Sequence, residues 1–274
     1  MHLKVGGCET NPPRCGVLLV GHGTRDRDGV GEFMETANHV AQACPELVVE
    51  PCFLELAEPA IPTAIAHMAQ QGIEQFVVLP LLLFAAGHAK RDVPDTVASA
   101  MALHPQMAWQ QAPHLGCHPA ILEQSAIRFE ETLAGRAAVP KAQTALVMVG
   151  RGSLDEDATQ EMHEFAKRAS QSANVGRVDV CFYAMAKPAL QDTLERIADE
   201  NFQRVIVQPH LLYGGVILEA IREAVEKCAS KNPATEWLVV DRLVPTSRVA
   251  AAVLERAYAA FSDWPTTCLV SAVS

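Results

Sequence analysis

The chain has 274 residues, 49% hydrophobic and 20% charged, enough for one large core or two smaller ones of about 130 residues each. Its formal net charge of −10 argues against a general nucleic-acid footprint, which needs basic patches to neutralise phosphates, and no apolar run reaches the roughly 18 residues that span a bilayer. The opening "MHLKVGGCETNPPRC" lacks the continuous apolar block of a secretion signal, so the expectation is a cytoplasmic globular protein with neither a membrane nor a nucleic-acid partner.

In chain order, the run at 16–20 is short, apolar and rich in Val and Leu, and predicts a strand buried on both faces. Phe33, Ala37, Val40, Ala41 and Cys44 then form one stripe at helical spacing. A second strand is predicted over 47–54, and Pro59 and Pro62 suit the first turn of a helix running to about Gln71. A third strand covers 76–83, a helix Asp92 to His104, a weaker strand 107–112, and a last helix Pro119 to Gly135 with Ile121, Leu122, Ala126, Phe129 and Leu133 inward. The pattern then begins again. "LLVGHGTRD" matches "LVMVGRGSLD", "CFLELAEPAI" matches "CFYAMAKPAL", and "FVVLPLLLFAAG" matches "VIVQPHLLYGGV", all at an offset of 129 residues. The chain therefore reads as a tandem duplication with a boundary near 137–143, giving domains 1–140 and 141–274. Strands alternating with helices predict an α/β fold in which each domain is a small parallel sheet flanked by helices, with a cleft between the two. The eight cysteines, at 8, 15, 44, 52, 117, 181, 228 and 268, contain no Cys-x-x-Cys pair and read mostly as buried free thiols.

In a parallel sheet all carboxyl ends share one edge, and ligands bind outside it. His22 follows the first strand, Glu55 ends the second and His88 follows the third, so three residues spaced 33 apart should converge on one rim. Two imidazoles and a carboxylate suit a borderline divalent ion such as cobalt, iron, nickel or zinc, and so few ligands leave positions open for another molecule. Each residue alone has a plainer reading: Gly-His-Gly as a phosphate cradle or a turn, Glu55 as a helix N-terminal charge or ion-pair partner, His88 as a polar loop residue. The comparison between halves favours chemistry. At the same offset His22 becomes Arg151, Glu55 becomes Ala184 and His88 becomes Ile217, while the surrounding strand and turn residues are kept.

The blocks "GHGT-R", "ELAEP" and "PLLLFAAGH…D-P" resemble the sirohydrochlorin cobaltochelatases and ferrochelatases, the class II tetrapyrrole chelatases, in their long two-domain bacterial form. The resemblance covers about 14–262 and implies two chelatase-like domains, with His22 and His88 as metal ligands and proton acceptors and Glu55 as an assisting acid or base. It implies a lyase that inserts Co²⁺, Fe²⁺ or Ni²⁺ into sirohydrochlorin in cobalamin or siroheme biosynthesis. The metal would be a substrate and no cofactor would be permanently bound. The second-half motif is degenerate, so one active site per chain is expected; some long-form members continue into a histidine-rich or cysteine-containing tail, and with only Cys268 in "TTCLVSAVS" no such accessory centre is expected here.

Sirohydrochlorin is a polycarboxylate, and Arg25, Arg27, Lys90 and Arg91 cluster beside the metal loops while Arg151 stands where the second half should face the first. Of these, Arg25, Lys90, Arg91 and Arg151 are the expected substrate-binding residues, since guanidinium groups pair with carboxylates through two parallel hydrogen bonds. His114, His118 and His210 fall near strand ends and are expected to line the cleft; His39, His67, His104 and His163 fall on helices and are expected at the surface. A non-catalytic metal carrier or tetrapyrrole-binding module is the alternative. A monomer is expected, because fusing the halves makes the pseudo-twofold cleft intramolecular.

Overall fold

The computed structural model describes residues 14–84 and 87–260, without the side chains of His88 and Ala89; Cys8 and Cys268 lie outside the described residues. The first half runs β1 (Cys15–Gly21), α1 (Arg27–Ala43), β2 (Val48–Phe53), α2 (Ile61–Gln70), β3 (Gln75–Pro80), α3 (Val93–Met101), β4 (Ala108–Gln111) and α4 (Pro119–Leu133). After a 3-10 turn at Lys141–Gln143 the second half runs β5 (Thr144–Gly150), α5 (Glu156–Ala169), β6 (Arg177–Phe182), α6 (Leu190–Ala198), β7 (Arg204–Pro209), α7 (Val216–Lys231), β8 (Glu236–Val239) and α8 (Ser247–Ala260). Two parallel four-stranded sheets result, ordered β2-β1-β3-β4 and β6-β5-β7-β8. The repeat seen in the sequence is kept in the ladders: Gly16 faces Val48 in the first sheet and Ala145 faces Arg177 in the second. β1 and β5 are buried along their whole length, which is why their sequences are continuous apolar runs. No helix among the described residues is long and apolar enough to cross a membrane.

One face of each sheet is covered by its own helices. Leu18, Val20 and Val78 pack against Ile61 and Ile65 of α2 and Val93 and Val97 of α3, and α6 and α7 do the same for the second sheet. The other faces drain into a single core. There Val17, Leu19 and Leu79 of the first sheet join Leu146, Met148 and Ile206 of the second. The last helix of each half crosses to the other half. α8 packs along α1 and over β3, while Gln208 on β7 donates to the Ser125 carbonyl and hydroxyl of α4 at 2.8 and 2.9 Å.

This exchange corrects the expected inward face of α4. Its buried residues are Ile121, Gln124, Ser125 and Phe129, whereas Leu122, Ala126 and Leu133 are only half-buried, because the helix turns a polar edge toward Gln208. Pro59 does not start α2; it follows a cis peptide after Glu58, its carbonyl accepts from Phe53, and Pro62 takes the first-turn position. The helix expected from Asp92 is preceded by a π-helical turn, His88–Asp92. Cys15, Cys44, Cys52, Cys181 and Cys228 are buried free thiols, with Cys117 partly exposed. Burial pushes the Cys181 thiol up to about 12 and raises Cys52 as well, so neither supplies a thiolate at neutral pH.

Candidate functional site

β1 and β3 lie side by side while their connections leave in opposite directions, and this switch point places a crevice beyond their carboxyl ends. The loops that leave β1 and β2 are stitched together. Leu54 N–H donates to the Gly21 carbonyl at 2.9 Å and Glu55 N–H to the His22 carbonyl at 3.1 Å. Gly23 makes the stitch possible: its φ is +96°, and a Cβ there would stand 1.7 Å from the Glu55 carbonyl oxygen. The side chains follow the backbone, so that His22 Nε2 lies 3.5 Å from Glu55 Oε1, 30% and 49% exposed respectively.

Two ligand atoms about 2.1 Å from one ion at a tetrahedral angle stand roughly 3.4 Å apart, so this spacing lets both groups hold a common divalent ion. His22 Nδ1 is 3.3 Å from the Gly23 carbonyl oxygen. A proton on Nδ1 donates there and leaves the Nε2 lone pair facing the carboxylate and any ion between them. A small cavity behind His22 is lined by Val20, Gly21, Leu54, Leu82 and Val93, so the ends of β1, β2 and β3 meet at one place. His88 opens the π-helical turn after β3, and its side chain lies outside the described residues. Among the described residues no three His, Cys, Asp or Glu side chains form a metal-holding group.

In the second half the same stitch recurs without the donors. Tyr183 N–H donates to Gly150, Ala184 N–H to Arg151, and Gly152 repeats Gly23 with φ +89°. The two strand-end rims face each other, as four contacts between the halves show. Lys90 Nζ is 2.8 Å from both Asp155 Oδ2 and Asp157 Oδ2; Gly214 N–H donates to Glu32 at 2.8 Å; Arg242 pairs with Glu32 at 2.5 Å; and His114 Nε2 lies 2.9 Å from Glu161. Glu32 and Glu161 are themselves equivalent at the 129-residue offset, so these pairs flank the cleft symmetrically. Lys90, expected on a substrate carboxylate, is thus engaged by two protein carboxylates, whose hydrogen bonds raise its pKa as its own lowers that of Asp155. Arg25, Arg91 and Arg151 are exposed, and their side chains have no hydrogen-bonding or ion-pair partner among the described residues.

Apolar rim residues are the feature that motif reading missed. Leu154, Tyr183, Met185 and Val216 all follow strands of the second sheet and all stand exposed, Leu154 at 84% and Val216 at 78%. The signal was available at the offset: Arg25 of the polar rim corresponds to Leu154, and Gly87 to Val216.

Two histidines expected in the cleft are not there. His118 caps α4, accepting from Ala120 N–H, and is buried against Glu255 of α8. His210 is sandwiched between Phe165, 3.8 Å away, and Phe84, 5.0 Å away. Burial pulls its pKa down to about 3, against about 6.5 in an unfolded chain. Between those values the unfolded chain binds a proton that the folded protein refuses. The stability contribution is therefore complete above about pH 6.5 and is lost as the pH falls toward 3, by up to roughly 1.4 kcal/mol per pH unit. Urea unfolding is expected to show about 2 kcal/mol less stability at pH 5 than at pH 7 from this group alone. His210→Leu, which installs the residue type found at the equivalent position 81, is expected to remove that share.

Comparison with known proteins gives the same outline. The CbiX family model matches twice, over residues 16–132 and 145–260. A sirohydrochlorin cobaltochelatase of Priestia megaterium is 29% identical over 222 residues, 81% of this chain and 72% of the relative. A sirohydrochlorin ferrochelatase of the same organism is 29% identical over 78% of this chain and 79% of its own length. Among solved structures, SirB from Bacillus subtilis with Fe³⁺ superposes with a TM-score of 0.76 at 26% identity, covering 89% of this chain and 94% of SirB. A sirohydrochlorin chelatase SirB from Bacillus subtilis subspecies spizizenii, in complex with cobalt, gives 0.72 at 25% identity, covering 90% and 95%. With both halves matched and the parallel four-stranded sheet duplicated, the chain belongs to the CbiX family.

Proposed function

We propose that this protein inserts a divalent metal ion, cobalt or iron, into sirohydrochlorin, with residues 1–140 carrying the site and residues 141–274 forming the opposite wall of the cleft. The observation that carries the reading is the His22–Glu55 pair at 3.5 Å on the first rim, against Arg151 and Ala184 at the equivalent positions of the second. His22 and His88 hold the ion, with Glu55 beside His22. So few protein donors leave the ion part of its water shell and open positions for pyrrole nitrogens, so that it can be passed on. The macrocycle gives up two N–H protons as the ion enters. Neutral imidazole, freed as the ion leaves, accepts one, and the second imidazole or the Glu55 carboxylate beside His22 accepts the other. Both then release their protons to water. Arg25, Arg91 and Arg151 anchor the carboxylates of the substrate, and the exposed Leu154, Tyr183, Met185 and Val216 give the flat macrocycle an apolar rest. Lys90 reaches a substrate carboxylate only by releasing Asp155 and Asp157. The protein acts in the cytoplasm as a monomer, with no permanently bound cofactor.

Incubation of the purified protein with sirohydrochlorin and Co²⁺ or Fe²⁺, followed by absorption, tests the activity; a tightly metal-binding protein without turnover would overturn it. In the same assay Arg151→Ala is expected to raise KM for sirohydrochlorin about tenfold, the loss of one charge-assisted contact, with KM for metal unchanged. Arg151→Lys is expected to restore only part of that loss, because an ammonium does not reproduce the bidentate fork.

A further inference from the structure

We propose that Lys90 and Phe84 are positioning residues that moor the segment carrying His88 to helix α5, so that the second half fixes the place of a metal ligand belonging to the first. This rests on the assignment of His88 as a ligand. Phe84 and Lys90 flank His88, by four and two residues respectively, and both are held from across the cleft. The Phe84 ring packs edge-on to Phe165 with centroids 6.4 Å apart and lies 5.0 Å from His210. Lys90 Nζ makes two 2.8 Å bonds, to Asp155 and Asp157.

All three moorings but His210 are on one rigid element. Asp157 and Phe165 lie in α5, and Asp155 is its N-cap. Asp155 is fixed in turn, accepting from Asp157 N–H at 3.1 Å while its own N–H donates to Ser153 Oγ at 3.0 Å. Ten residues of helix separate Asp155 from Phe165, a rise of about 15 Å, so the two ends of the segment are pinned at well-separated points of a straight rod.

The ion pair is not a by-product of the duplication. Asp26 and Asp28 are the equivalents of Asp155 and Asp157, and Asp26 caps α1 in the same way. The equivalent of Lys90, however, is Glu219, which pairs with Arg222 of its own helix. An aromatic contact does recur, Tyr213 on Phe33 at 6.3 Å, although Phe33 is equivalent to Met162 and not to Phe165. A cation also crosses in the other direction, Arg242 to Glu32, but it stands after β8; at the position equivalent to Lys90, next to the turn after β7, the second half carries no cation. Partly exposed ion pairs contribute little to global stability. A displacement of about 1 Å at a reacting group, by contrast, is enough to slow a reaction on the order of 100-fold, so the effect is expected in the chemistry and not in the fold.

The test is a double-mutant cycle on the full chain: Lys90→Met, the pair Asp155→Asn with Asp157→Asn, and all three together. Asparagine keeps the N-cap. Steady-state Co²⁺ insertion is expected to lose about tenfold in kcat for each arm, with KM for sirohydrochlorin changed less than twofold, and the combination no worse than either arm. Lys90→Arg is expected to recover most of the rate. Without sirohydrochlorin, the visible spectrum of bound Co²⁺ is expected to shift alike in both arms, at an unchanged urea midpoint. A raised KM in Lys90→Met with wild-type kinetics in the aspartate pair would overturn the proposal and give Lys90 to a substrate carboxylate. Additive losses or unchanged kcat would overturn it too. His88→Ala, run alongside, separates the two readings: full activity there removes the ligand assignment itself, whereas lost activity there with wild-type rates in both arms removes only the mooring.

Discussion

His22→Ala is expected to lower kcat for metal insertion by at least 100-fold while leaving the fold intact. The size follows from the two jobs assigned to one imidazole. Removing a positioned general base typically costs a factor of 10² to 10⁴, and here the same side chain also supplies a metal ligand. The fold is expected to survive because the His22 side chain is 30% exposed and the neighbouring stitch is made by backbone groups, Leu54 to Gly21 and Glu55 to His22. His88→Ala is expected to fall as far and Glu55→Gln less, about tenfold, since glutamine still offers an oxygen beside Nε2 but carries no charge. Rates from the absorption change, with urea midpoints for each variant, check all three. Wild-type rates in His22→Ala and His88→Ala together would remove the site assignment.

Gly23→Ala is expected to damage both stability and activity. Alanine at φ +96° is strained, and its Cβ would stand 1.7 Å from the Glu55 carbonyl oxygen, a backbone atom that can retreat only by opening the loop. The expected loss is about 3 kcal/mol of unfolding free energy, with insertion falling as far as in His22→Ala because His22 and Glu55 separate together. Gly152→Ala provides an internal check, for its Cβ would meet the Ala184 carbonyl oxygen at the same distance of 1.7 Å. Gly31→Ala provides the opposite sign: it lies within α1 with nothing within 4 Å of its Cβ and is expected to gain about 0.5–1 kcal/mol. Equal stability of Gly23→Ala and the parent in urea would mean that the stitched loop is not the frame of the site.

The architecture was readable because the apolar runs at 16–20, 47–54 and 76–83 recur at one offset, and a doubly buried parallel strand has few other appearances in sequence. The convergence of the strand ends was readable for the same reason. What escaped was set by partners far away in the chain. Gln124 and Ser125 look like an exposed helical edge until Gln208, more than 80 residues on, is found bonded to Ser125. Lys90 looks like a free cation beside the metal loop, and its carboxylates lie 65 and 67 residues away. His210 carries no local sign that two phenylalanines, one from each half, will enclose it. Leu154 and Val216 were legible in principle, since each replaces a rim residue of the first half, but only once the rims were known to oppose each other.

The crossing of α8 explains why a half without donors persists. Val249, Val253 and Ala257 fill the core beneath the first sheet, so the framework of the lobe that carries His22 and Glu55 is completed by a helix of the other half. Drift at positions 151, 184 and 217 touches only a surface; erosion of the scaffold that delivers α8 would unroof the working sheet. The duplicate has been free to change its face and bound to keep its skeleton.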